Sequence, residues 1–114
     1  MKERRTADRH NLYMYLRAFD ADTDDLIGHV VDVSSGGLML VSDAPFRPAA
    51  IHRMKVELPY TEQEERTLDL QVECRWCGPD ANDDYFDAGF KFLNPTAELR
   101  ETIFGVVDDV GFAA

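Results

Sequence analysis

The sequence lacks several features that define whole classes of protein. Its 114 residues include only two cysteines, Cys74 and Cys77, which favours free thiols over a disulfide framework. No apolar run approaches the roughly 20 residues that a membrane helix needs. The polar N-terminus is not followed by an apolar segment, so we expect no secretory signal. These absences favour a cytoplasmic domain.

Positive charge is scarce outside the first ten residues. The net charge is −10, but residues 1–10 carry +2 and the other 104 residues carry −12. An acidic body repels a long polyanion over about one Debye length, roughly 8 Å in cellular salt. We therefore expect no DNA or RNA partner, whereas a basic cluster at one end suits a small anion.

The hydrophobic pattern predicts an all-β domain that ends in one helix. Six segments are predicted as strands, at 12–19, 26–33, 38–41, 51–58, 67–77 and 85–93, and the first and fifth show clear alternation along the chain. Asn94 and Pro95 are then predicted as the N-cap and first residue of a helix that reaches Val110. Six short strands are typical of a small antiparallel β-barrel, with the C-terminal α-helix placed to cover its open end or edge. We expect a flexible arginine-rich arm over residues 1–11 and one barrel domain over residues 12–114.

Two short polar segments stand out from this pattern. The first, RRTADR at residues 4–9, contains Arg-x-x-x-Arg at Arg5 and Arg9. The second, DVSSGG at residues 32–37, reads Asp-x-Ser-x-x-Gly and lies between two apolar strands. Each is weak alone, because paired arginines occur in solvated tails and Asp-x-Ser before glycine is an ordinary turn. Their combination in this order is more specific than either segment.

With these two segments the sequence resembles the PilZ domain family, whose signature is Arg-x-x-x-Arg in an N-terminal arm followed by (Asp/Asn)-x-Ser-x-x-Gly. The stretch at residues 30–38 is similar to the family's central region, 89–92 to its last strand and 94–110 to its C-terminal helix. No position of the signature departs from the pattern. The resemblance implies a six-stranded barrel that is a receptor for cyclic di-GMP, not an enzyme, with no cofactor.

The signature residues suit a ligand with two phosphates and two guanines. The guanidinium groups of Arg5 and Arg9 can pair with phosphate oxygens or the guanine O6 and N7 atoms, or stack on a base. Asp32 can accept hydrogen bonds from guanine N–H groups. Ser34 can donate to the ligand or hold the turn. Gly37 is expected to let the backbone approach the ligand or to adopt positive φ.

Three other residues are expected near the ligand. Arg4 extends the signature to Arg-Arg-x-x-x-Arg, which is similar to family members that take a stacked pair of cyclic di-GMP molecules, so we expect two ligands per chain. Strand alternation predicts that Trp76 belongs to the core, although its place near the end of the fifth strand also fits a ligand groove. Gly36 is expected near the ligand as well. Ligand binding is expected to order the arm and so to signal to an unidentified partner protein. We expect no membrane partner.

Other interpretations remain open. The chain could be a PilZ-like adaptor of pilus or flagellar assembly that binds no nucleotide, although such members tend to lack the arginines. An oligonucleotide-binding barrel would need aromatic residues on a basic face. A metal site is not expected, because the Cys-x-x-Cys at 74–77 has no second pair and alternation turns Cys74 inward and Cys77 outward. The acidic run at 20–25 lacks the glycine and glutamate of a calcium loop.

Overall fold

The protein is a closed six-stranded antiparallel β-barrel with one C-terminal helix, as predicted. The computed structural model describes residues 9–58 and 67–113, with the side chains of 15–58 and 67–105. Around the barrel the order is β1-β2-β3-β6-β5-β4, and β4 pairs with β1 to close it. The elements are β1 (Arg9–Asp20), β2 (Leu26–Ser34), β3 (Gly37–Ser42), β4 (Ile51–Glu57), β5 (Thr67–Pro79), β6 (Phe86–Phe92), α1 (Ala97–Val110) and β7 (Gly111–Ala113).

The barrel interior is apolar because alternate residues of each strand point inward. Leu16, Val30, Leu40 and Val72 are at most 5% exposed. From α1, Ile103 packs into the same core and is 2% exposed. The helix therefore covers part of the barrel interior. No helix in the described part of the chain is long and apolar enough to cross a membrane.

The helix begins two residues later than predicted. Thr96 is the N-cap, since its Oγ1 accepts a hydrogen bond of 3.0 Å from the Leu99 N–H. Asn94 has a φ of 50° and lies in the connection that precedes the helix. The N-cap prediction at Asn94 was wrong because two residues able to cap flank Pro95, and local spacing does not choose between them.

The alternation of β5 breaks near its end. Residues 74 and 76 of β5 pair with consecutive residues of β6, so Arg75 is an extra residue on β5. Such a bulge shifts the side-chain alternation by one residue. Trp76 is therefore 46% exposed, and its predicted place in the core was wrong. Cys77 packs against the core beside Cys74 instead of facing outward.

Candidate ligand-binding site

A polar cleft of about 270 Å³ opens on the outer face of the barrel, where β2, β3, β6 and β5 run side by side. Its floor follows one row of cross-strand partners from Asp32 through Met39 and Gly89 to Trp76. The register of four strands thus brings the Asp-x-Ser-x-x-Gly segment to residues that lie about 40 to 55 positions later in the chain. The lining consists of Asp32, Ser34, Gly36, Gly37, Leu38, Met39, Arg75, Trp76, Gly89, Phe90 and Lys91.

The turn between β2 and β3 is held by the side chain of Ser34. Its Oγ accepts a hydrogen bond of 3.3 Å from the Gly36 N–H and donates one of 3.5 Å to the Gly37 carbonyl oxygen. Two residues earlier, Asp32 is only 4% exposed although it is ionisable. Ser34 therefore shapes the rim of the cleft, and Asp32 lines the cleft as a buried acidic residue.

Gly37 is required by strand packing. It pairs with Lys91 across β3 and β6, and a β-carbon at this position would overlap the carbonyl oxygen of Phe90. Its φ lies outside the left-handed region, so the expectation of positive φ was wrong. By contrast, a β-carbon at Gly36 would meet no atom within 4 Å. Of the two glycines, Gly36 borders open space and Gly37 lets two strands approach closely.

Trp76 lies against Gly89 on the neighbouring strand. A β-carbon at Gly89 would come within 2.5 Å of Cε2 of the indole. The bulge at Arg75 turns the ring outward, and the absence of a side chain at Gly89 lets it lie close to the sheet. An exposed indole is a good stacking surface for a nucleobase. The structure thus brings Trp76 to the polar cleft, which is the second of the two places the sequence allowed.

Two cationic residues of the cleft were missed by the sequence analysis. Arg75 and Lys91 both line it, and Nη1 of Arg75 lies 4.0 Å from Oε1 of Glu73. Lys91 is the cross-strand partner of Gly37, so its backbone lies beside the glycine turn. The outward alternation of β6 could have indicated Lys91. Arg75 could not have been found, since its position depends on the bulge.

The arginine arm lies mostly outside the described residues. Arg4 and Arg5 fall outside them altogether, and only the backbone of Arg9 is described. Arg9 is the first residue of β1 and is the Cα partner of Ser34, while Asn11 is the partner of Asp32. Residues 9–11, predicted as arm, therefore belong to the barrel. Their polar side chains did not indicate a strand, because backbone groups make the pairing of these residues with β2.

The two cysteines have the character of core residues. Burial raises the pKa of the Cys74 thiol, and Cys77 raises it further, while a hydrogen bond to the Trp76 carbonyl acts in the opposite direction. Thiolate is the form that binds metals or attacks electrophiles, so a raised pKa disfavours both roles. Among the described residues, no group of three or more His, Cys, Asp or Glu side chains could hold a metal ion.

The architecture is a small closed six-stranded β-barrel domain with a cleft beside its glycine turn. The sequence matches the PilZ domain over residues 3–108, and the chain belongs to the PilZ domain family. A search of curated proteins finds no match. The family is one of cyclic di-GMP receptors, so the resemblance deduced from the signature is confirmed.

Solved structures share the fold at low sequence identity. The Bacillus subtilis inhibitor of motility MotI/DgrA superposes with a TM-score of 0.73 at 16% identity, over 95% of this chain and 51% of that one. The PilZ domain of Escherichia coli YcgR with c-di-GMP gives 0.66 at 13% identity and covers 94% of both chains. The longer YcgR complex with c-di-GMP gives 0.70 at 14% identity, over 94% of this chain and 46% of that one. This chain thus spans about half the length of MotI/DgrA and of the longer YcgR chain.

Proposed function

We propose that this chain is a receptor for cyclic di-GMP that binds its ligand in the polar cleft. The observation that carries the proposal is the cross-strand row from Asp32 to Trp76, which joins a buried guanine-type acceptor to an exposed stacking surface. Free thiols at Cys74 and Cys77 fit a reducing compartment, so we further propose that the protein acts in the cytoplasm. In this proposal the protein binds its ligand and does not turn it over.

Each part of the ligand has a chemically matched group. Asp32 accepts hydrogen bonds from guanine N–H groups, which adenine does not present in the same pattern. Because Asp32 is only 4% exposed, a base that presents a mismatched group to its carboxyl is penalised more than it would be at an exposed side chain. Trp76 stacks on a base. Arg75 and Lys91 neutralise phosphate from the cleft side, and no position in this scheme requires a metal.

The motif arginines complete the site from the start of β1. The pairing of Arg9 with Ser34 brings the start of β1 to the glycine turn, and Arg5 stands four residues before Arg9 in the sequence. We propose that Arg4, Arg5 and Arg9 close over the ligand and bind its phosphates and guanines. Ordering of the arm changes the exposed surface, and a partner that distinguishes the two surfaces receives the signal.

Calorimetric titration tests this proposal directly. We expect wild-type protein to bind cyclic di-GMP and to discriminate against cyclic di-AMP and GTP. Arg5→Ala and Arg9→Ala each remove charge-assisted hydrogen bonds, so affinity should fall about tenfold to a hundredfold. Arg53→Ala is the matched control, because Arg53 is exposed on β4 and pairs with Asp22, away from the cleft. Equal affinities of wild type and the Arg5 and Arg9 variants would contradict the receptor function.

The same titration gives the stoichiometry. Arg4 predicts two stacked ligand molecules per chain, and Arg4→Ala should reduce the number to one. A clear one-to-one binding by the wild type would rule out the two-ligand arrangement while leaving the receptor proposal intact.

A further inference from the structure

A second groove lies on the outer face of the barrel, toward the opposite ends of β2 and β3 from the polar cleft. Its volume is about 630 Å³, and we call it the acidic groove. On β3, Met39 lines the cleft and Val41 lines the groove, so the two sites are about 7 Å apart along the strand. The groove is lined by Tyr15, Leu26, Ile27, Gly28, His29, Val41, Ser42, Asp43, Asp80, Asn82 and Tyr85.

Large apolar side chains converge on this groove and remain in contact with solvent. Tyr15 is 61% exposed, Leu26 51% and Tyr85 41%, and they come from β1, β2 and the connection between β5 and β6. Single exposed apolar residues are common on protein surfaces. A group of them around one concave surface, with polar residues at its rim, is typical of a protein-interaction site.

The described residues that line the groove carry negative charge and include no lysine or arginine. Asp43 and Asp80 line it, and Asp80 hydrogen-bonds the side chain of Asp87 on β6. Within residues 15–58 and 67–105, no lysine or arginine forms an ion pair with any of these three. Three acids elsewhere on the barrel are paired, with Asp22 contacting Arg53, Asp24 contacting Lys55 and Glu57 contacting Arg17.

The rim of the groove is held in place before any partner binds. In the β5–β6 connection, the Asp80 N–H donates to the Tyr85 carbonyl at 3.0 Å and the Asn82 N–H donates to Asp80 Oδ2 at 2.9 Å. On the facing side, the Ala44 N–H donates to Ser42 Oγ at 3.1 Å. A preformed surface loses little conformational entropy on binding, which favours recognition of a short segment.

We propose that the acidic groove docks a segment of another protein in which an arginine or lysine stands beside a large apolar residue. The cation would lie between Asp43 and Asp80, where the tyrosine ring of Tyr85 adds a cation–π contact. The apolar residue would cover Leu26 and Tyr15. Uncompensated carboxyls exclude acidic chains and polyanions, so charge complementarity selects this occupant. The proposal stands whether or not the polar cleft binds nucleotide.

An NMR titration of the full chain with a designed peptide tests the docking site. The probe is a 12-residue peptide that carries two Arg-Leu-Phe units in a Gly-Ser background, and its control has glutamate in place of each arginine. We expect amide shifts to concentrate at the groove, around Leu26, Val41 and Tyr85, with the basic peptide only. Asp43→Asn combined with Asp80→Asn should lower the affinity for the basic peptide at least tenfold, because asparagine preserves the turn and removes the charge.

A matched pair of variants separates docking from general charge attraction. Asp22→Asn with Asp69→Asn removes the same net charge elsewhere on the barrel and should leave the peptide affinity unchanged. Equal weakening by both pairs, or shifts spread over the whole acidic surface, would overturn the proposal. So would the absence of any shift at millimolar peptide, or self-association that the groove variants abolish. Cyclic di-GMP binding by the Asp43/Asp80 variant should equal that of wild type, so failure of one site is distinguishable from failure of the other.

Discussion

Trp76 and Gly89 are cross-strand partners, and the indole lies where a side chain at residue 89 would be. The contact exists because the extra residue at Arg75 turns Trp76 out of the barrel at the point where β6 carries no side chain. This pair therefore determines whether the polar cleft has a stacking surface.

Gly89→Ala should displace the indole of Trp76. The added methyl overlaps the ring, so the ring must move away from the sheet, and we expect the emission maximum to shift. Trp76 is the sole tryptophan, so its fluorescence reports this change directly. Loss of one stacking contact, worth about 1 to 3 kcal/mol, should lower the affinity for cyclic di-GMP at least fivefold. Gly78→Ala is the control, because a β-carbon there meets nothing within 4 Å; the same emission change in both variants would contradict the contact.

Gly37→Ala should destabilise the fold, whereas Gly36→Ala should not. The methyl at residue 37 overlaps the Phe90 carbonyl oxygen, and two paired strands cannot separate locally without losing hydrogen bonds. We expect a loss of about 2 to 3 kcal/mol in the free energy of unfolding. Urea unfolding followed by circular dichroism measures both variants. Equal stability of the two would show that β3 and β6 do not need this close approach.

Ile103→Ala should show how much α1 stabilises the barrel. Ile103 is 2% exposed in the core, whereas its neighbour Phe104 is 59% exposed. Removing a buried isoleucine side chain costs about 2 to 4 kcal/mol, and the exposed Phe104→Ala change should cost less than about 0.5 kcal/mol. Thermal unfolding of both variants gives the comparison, and the reverse order of stabilities would contradict the packing of the helix.

The pH dependence of stability should report on Asp87. Burial, with the hydrogen bond and charge of Asp80, raises the pKa of Asp87 from 3.8 to about 6. A hydrogen bond from the Asn82 backbone lowers the pKa of Asp80, with a further contribution from Asp87, so the proton resides on Asp87. Between pH 3.8 and about pH 6, Asp87 binds a proton in the folded state that it does not bind in the unfolded state. The stability from this group is thus full below about pH 4 and is lost as pH rises through about 6.

Asp87→Asn tests that assignment. The variant should be more stable than wild type at pH 7.5, by on the order of 1 kcal/mol for a partly solvated carboxyl, and the difference should vanish near pH 4. Asp69→Asn on β5 is the control. A stability difference independent of pH would show that Asp87 titrates normally.

Several features of the fold could be predicted because they depend on neighbours in sequence. Apolar segments bounded by turn residues marked all six barrel strands, and helical spacing marked the segment that contains Ile103. The N-cap at Thr96 and the short β7 could not be predicted. The first required a choice between two polar residues on either side of Pro95, and the second depends on pairing with β1, which begins about 100 residues earlier.

The sequence by itself determined the barrel class, the family and the two signature segments, since alternation and short motifs are local patterns. Only the tertiary structure decided what surrounds Asp32. The placement of Arg75, Trp76 and Lys91 follows from the register of β5 against β6, and one extra residue there reverses which side chains face the core. A bulge is a property of two paired strands, so no pattern within one strand reveals it. The same tertiary arrangement gathers Tyr15, Leu26 and Tyr85 into the acidic groove, which the sequence did not indicate.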